Sequence, residues 1–143
     1  MPITPVPIPE DVVVRGVHVV RGRYDFAVDG GLVSTIAITG GTPIPSGSTI
    51  VGGYVDVLTP CTSGGAATIA CQVEGANDIL TAVGVASWTA GVKNILPAET
   101  TGALTASTHV RTTAARNISI VVATAALTAG KFDVVLFVIP PAA

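Results

Sequence analysis

Between residues 12 and 26 the chain alternates with a period of two. Val12, Val14, Gly16, His18, Val20, Gly22, Tyr24 and Phe26 fall on one parity, and Arg15, Arg21, Arg23 and Asp25 on the other. Successive side chains of a strand point to opposite faces, so this pattern lays an apolar face on a core and an arginine-bearing face outward. A helix would not keep that rhythm. Further strand-length apolar runs follow at 32–38, 49–58, 68–73, 79–88, 92–95, 109–112, 117–123 and 132–139, with the first stretch dividing into 12–20 and 24–28. Asp29-Gly30-Gly31 reads as a hairpin turn, and Thr62-Ser63-Gly64-Gly65 as a second one joining 49–58 to 68–73. About nine or ten short strands with turns every 8–12 residues is the pattern of an antiparallel sandwich or barrel.

The segments between strands are read by their breakers. Gly40-Gly41-Thr42-Pro43-Ile44-Pro45-Ser46-Gly47 is a loop, the low-complexity stretch 97–107 is an irregular loop, and 126–130 is the connection into the last strand. That last strand is apolar on both parities from Val134 to Ile139, which predicts cover on both faces, by the opposing sheet and by a neighbour or loop. Ahead of the first strand, Pro2, Pro5, Pro7 and Pro9 alternate with Ile3, Val6 and Ile8. Proline lacks a donor and fixes φ, so residues 1–11 are expected to run as an extended arm outside the sheets. Its apolar positions suit a strap on a neighbouring subunit. The division expected is therefore an arm, 1–11, and one domain, 12–143, a usual size for a single core.

Composition changes the picture in one respect. Charged residues are 11% and hydrophobic ones 49%, with a net charge of −2, against an ordinary charged share of about 25%. Mean hydropathy is +0.69. A surface so poor in charge is expected to be partly covered by other subunits, in a homo-oligomer. No run approaches the ~20 apolar residues of a spanning helix, and one Trp, two Tyr and three Phe are too few for the girdles of a membrane barrel. Neither membrane insertion nor a secretory signal is expected. Nucleic acid binding is not expected either, because Arg15, Arg21 and Arg23 form the one basic stripe in an acidic chain. That stripe reads equally as a solvated face or as a partner for carboxylates across a subunit interface.

Candidate chemistry is sparse. With two histidines and two cysteines the sequence offers no HxxxH, CxxC or GxSxG spacing, so no enzyme activity, metal or cofactor is expected. His18, on the apolar parity, reads as a core histidine, and His109 as a residue at a strand edge. Glu74-Gly75-Ala76-Asn77-Asp78 gathers two carboxylates without the ligand spacing of a calcium loop and reads as a turn. In the hairpin expected around Gly64, Cys61 and Cys71 are offset by roughly 13–17 Å, beyond the ~7 Å reach of a disulfide. Two free thiols are predicted.

Several of the turn and strand motifs have a counterpart. Ile44-Pro45-Ser46-Gly47-Ser48-Thr49-Ile50, then Tyr54-Val55-Asp56-Val57, Ser63-Gly64-Gly65-Ala66-Ala67-Thr68-Ile69 and the closing Leu127-Thr128-Ala129-Gly130-Lys131-Phe132-Asp133-Val134 resemble small virion structural proteins of tailed bacteriophages. The resemblance spans residues 24 to 139 and is carried by turns. It implies an antiparallel β-sandwich of jelly-roll type. It also implies a capsid decoration or head-fibre protein in the virion, assembled as a trimer on the major capsid protein. The partner contacts expected on that reading are Ile3, Pro5, Val6, Pro7 and Ile8 of the arm, with Arg15, Arg21 and Arg23. A tail or fibre module is an alternative. So is a bacterial carbohydrate or adhesion module, which would need exposed stacking aromatics from Trp88, Tyr24 or Tyr54.

Overall fold

The computed structural model describes residues 16–38, 43–95 and 109–141. The proline-rich arm, Arg15, the Gly40-Gly41 pair and the 97–107 stretch lie outside the described residues. The elements are β1 (His18–Asp25), α1 (Phe26–Asp29), β2 (Ser34–Ala37), β3 (Thr49–Ser63), β4 (Thr68–Gln72), β5 (Leu80–Gly84), a 3-10 turn (Val85–Ser87), β6 (Gly91–Asn94), β7 (Val110–Arg111), β8 (Ser119–Ala123) and β9 (Leu127–Ile139).

All strand pairings among the described residues are antiparallel and make two sheets. The first runs β1-β9-β3-β6, with the short β7 also on β3; the second runs β2-β8-β4-β5. Their inner faces share one core, in which Tyr24, Ile50, Val55, Phe132, Val134 and Leu136 of the first sheet meet Ile69, Cys71, Ile120 and Val122 of the second. The fold is thus the all-β sandwich that the period-two pattern predicts. In β1 the inward set is Val20, Gly22 and Tyr24, with Arg21 and Arg23 outward, as their parity requires.

Which strands pair differs from the sequence reading. The turn after Asp29 does not close a hairpin, because β1 and β2 belong to different sheets. Residues 24–28 are not a separate strand: Tyr24 and Asp25 finish β1, and Asp25 then caps one helical turn, its Oδ1 accepting from the Ala27 N–H at 3.0 Å. Likewise β3 and β4 flank the Gly64 turn without pairing. Cys71 lies opposite Ile120 on one side and Leu80 on the other, while Cys61 sits on β3. The hairpin register is therefore wrong, yet both thiols are free and buried. Burial pushes the Cys61 thiol up to about 11 and Cys71 to about 12.

The stretch 126–130 is not a plain connection either, since β9 starts at Leu127. Gly130 allows this with φ +147°, where a Cβ would stand 2.6 Å from Cys61 Sγ. Flanked by β1 and β3, β9 is covered on both faces from Phe132 to Leu136, but on the outer side Phe137 is partly exposed and Ile139 exposed, so the cover expected up to Ile139 stops short of the strand end. Val135, 2% exposed on the outer side, lies in register between Arg21 and Tyr54.

His18 corrects the core assignment. It shares the inward parity but is exposed. Gly22, four residues on, is the β1 position that meets Ile38 and Ile118, the residues just beyond the end of β2 and before the start of β8, so the start of β1 overhangs the described part of the second sheet.

Candidate interaction surfaces

Three places among the described residues stand out for their polar or exposed apolar groups. The first is the outer face along β1 and β9. Arg23 sits opposite Asp133 in register and donates from Nε to Oδ1 at 2.6 Å and from Nη2 to Oδ2 at 2.9 Å. Asp133 is 5% exposed, and the fork–fork hydrogen bonds from Arg23 hold its carboxyl below the usual range against the opposing effect of burial. One step along, Lys131 meets Asp25 at 2.9 Å, and this hydrogen bond is the main cause of the lowered Asp25 carboxyl. The carboxylate partner of Arg23 is thus in its own chain. Arg21 remains outward, exposed and without an ion pair among the described residues. At the far end of the same face Val17, Val19 and Ile139 are exposed, beside the Tyr54–Phe137 ring pair at 6.1 Å. Sequence parity placed Arg21 and Arg23 correctly, Arg15 lying outside the described residues, but could not find Asp133, 110 residues away.

The second is the tip formed by α1 and the link into β2. Its backbone is tied down at each step. Tyr24 Oη donates to the Gly30 carbonyl at 2.7 Å, the Asp25 N–H to Asp29 Oδ2 at 2.8 Å, the Gly30 N–H to the Phe26 carbonyl at 3.0 Å, and the Leu127 N–H to the Gly31 carbonyl at 2.8 Å. Gly31 packs so closely that a Cβ would lie 2.6 Å from the Leu127 carbonyl oxygen. On this braced frame Val28 is 81% exposed, Leu32 76% and Val33 55%. The sequence signalled a turn here but not that its apolar residues point away from the core.

The third is the turn at 73–78. Asp78 Oδ1 accepts from the Val73 N–H and its Oδ2 from those of Glu74 and Gly75 at 2.8–2.9 Å. Glu74 accepts from Arg116 Nε and Nη2 at 2.9 and 3.1 Å and from the Thr113 N–H and hydroxyl. The Arg116 hydrogen bonds, then those of Thr113, bring the Glu74 carboxyl down to about 2. Both carboxylates are engaged within the chain, as a turn requires, and no group of three metal-ligating side chains occurs among the described residues. This clamp fixes the segment that pairs Ile44 with Arg116 and leads into β8.

His109 lies just before β7 and is exposed. The aromatics that a sugar site would need are mostly inside. Tyr24 is fully buried and Trp88 is 3% exposed, both against Phe132 with ring centroids at 5.0 and 4.7 Å. Tyr54 alone of the three is partly exposed. No helix among the described residues is long and apolar enough to cross a membrane.

No protein-family model and no curated protein matches the chain. Solved structures do. A chain in the acidic stable capsid structure of Helicobacter pylori bacteriophage KHP30 superposes with a TM-score of 0.58 at 11% identity, covering 89% of this chain and 90% of that one. A chain of the Cyanophage Pam1 capsid asymmetric unit gives 0.56 at 22% identity, covering 87% and 85%. In both cases the likeness is one of fold, and it runs nearly end to end.

Proposed function

We propose that this chain is a non-enzymatic virion structural protein, a capsid decoration subunit that binds and stabilises the major capsid protein lattice as a homotrimer. The observation that carries the reading is the end-to-end fold match to chains of two phage capsid structures, with some 85–90% of both partners covered. Coverage in both directions means that each neighbour is a chain of about this length, so the likeness is to a whole small subunit. The strand order agrees. Reading β1 to β6, β8 and β9 as the eight strands, the sheets β1-β9-β3-β6 and β2-β8-β4-β5 follow the alternation of two Greek keys in a jelly roll, an architecture recurrent in capsid proteins.

The mechanism is physical. Such a subunit works by burying its exposed apolar surface, at the tip and on the outer sheet face, across boundaries between shell subunits. Buried apolar area is nominally worth about 25 cal/mol per Å2, much reduced by the cost of association, so repetition over a lattice supplies the strength. In this reading the proline-rich arm, with Ile3, Val6 and Ile8, straps onto a neighbour, and Arg21 supplies a free positive charge for a partner carboxylate.

The test is add-back. Purified chain is mixed with shells lacking it and, separately, with isolated tails, and each is pelleted. Saturable binding to shells in proportion to lattice sites, with increased resistance of the shell to heat, is expected. Binding to tails alone would move the chain to the tail or fibre alternative.

A further inference from the structure

The braced tip has a counterpart on the opposite flank of the sandwich. The tip links β1 and β2, which are the first strands of their respective sheets. At the other flank, where β6 and β5 are the last strands, an open pocket of about 110 Å3 is lined by Val55, Leu80, Val83, Trp88 and Ile95, with Lys93 and Ser87 among its walls. By comparison, an apolar cavity of about 150 Å3 accepts benzene, so this one has room for a four-carbon side chain such as that of Leu32.

The charges match as well. At the tip, Asp29 has no cation partner among the described residues, its carboxylate accepting only the Asp25 N–H. At the pocket, the Lys93 ammonium reaches Thr89 Oγ1 at 3.3 Å and no carboxylate among the described residues. The tip is convex, so tip-to-tip contact would bury little. Val28, Leu32 and Val33 together offer a few hundred Å2, below the roughly 800 Å2 per partner of a self-sufficient dimer. A convex apolar knob and a concave apolar socket on opposite flanks of one chain complement each other between copies.

We propose that the tip of one copy docks head to tail on the β5–β6 flank of a second copy, Leu32 entering the pocket and Asp29 approaching Lys93. This rests on the homo-oligomer part of the reading above. Contacts of this heterologous kind are the ones that close into three-fold rings, which a symmetric pair contact cannot build. Adjacent surface on the two flanks adds the remaining area.

Light scattering on purified chain at micromolar concentration supplies the test. Leu32→Ser removes the knob and Ser87→Trp fills the socket; both positions are exposed, and each variant should keep the wild-type far-UV spectrum. Each alone should be monomeric, with dissociation constants raised at least tenfold. Lys93→Glu should weaken assembly by a similar factor through repulsion of Asp29. Mixed together, the knobless and socketless chains retain one good contact between them and should form dimers that cannot close. Variants that assemble like wild type, or a mixture that stays monomeric, would overturn the head-to-tail contact while leaving shell binding intact. A monomeric wild type would remove the oligomer itself, and a wild-type oligomer that ignores shells would remove the decoration reading but not this interface.

Discussion

Replacing Phe132 probes the link between the two flanks. Its ring is fully buried between Tyr24, which holds the tip through Gly30, and Trp88, which lines the pocket. Phe132→Ala removes a whole ring from the two-sheet core, a change worth about 3–5 kcal/mol. Phe132→Leu keeps much of the volume and loses two ring pairs, each worth about 0.5–1.5 kcal/mol beyond area, or about 1–3 kcal/mol in all. Against a total stability of about 5–15 kcal/mol, the alanine variant approaches unfolding and the leucine variant does not. Urea titration followed by the fluorescence of Trp88, the single tryptophan, reads both at one protein concentration. With a slope of about 2 kcal/mol per molar, the midpoint should fall by about 2 M for alanine and about 1 M for leucine, with unchanged slope. A loss under about 1 kcal/mol for Phe132→Ala would refute the claim that this aromatic column carries the core.

Tyr24→Phe deletes the hydroxyl that braces Gly30; it should cost about 1 kcal/mol, or about 4 °C in midpoint, and speed hydrogen exchange at Gly30 more than in β9. Glu74 titrates at about 2, below its ordinary 4.5, so the stability it contributes is full above 4.5 and is lost as pH falls from there through 2. Thermal midpoints measured from pH 7 to 2 should therefore drop across that window, and Glu74→Gln should flatten the part due to the Arg116 clamp. The thiols should react slowly with a disulfide reagent at pH 8 in the native state and both react at once in denaturant; fast native labelling of Cys71 would contradict its burial.

What the sequence revealed follows from what periodicity measures. Alternation reports which face of a strand is buried, so the outward Arg21 and Arg23 of β1 were legible from parity alone, and the apolar run 134–139 marked the double burial of β9 as far as Val135, beyond which Phe137 and Ile139 emerge on the outer side. Alternation says nothing about the partner strand. Asp29-Gly30-Gly31 and Ser63-Gly64-Gly65 are good turn sequences, but here they carry the chain from one sheet to the other, and a turn motif does not distinguish the two routes. Phe26 kept the strand rhythm while Asp25 and Asp29, spaced to hydrogen-bond one helical turn, overrode it. The pocket joins residues from three strands and a 3-10 turn, and no local pattern marks it. The tip was hidden for the opposite reason, since Val28, Leu32 and Val33 look like core residues in sequence and lie outward in the fold.

The central claim is that this chain sits on a phage shell. Electron cryomicroscopy of purified particles, at a resolution that traces β-strands, tests it most directly. The account predicts density for a two-sheet sandwich with the β1-β9-β3-β6 and β2-β8-β4-β5 orders at symmetry-related positions on the shell, three copies in contact at each. Particles whose shell carries no such density, with this chain found in the tail or absent, would contradict it.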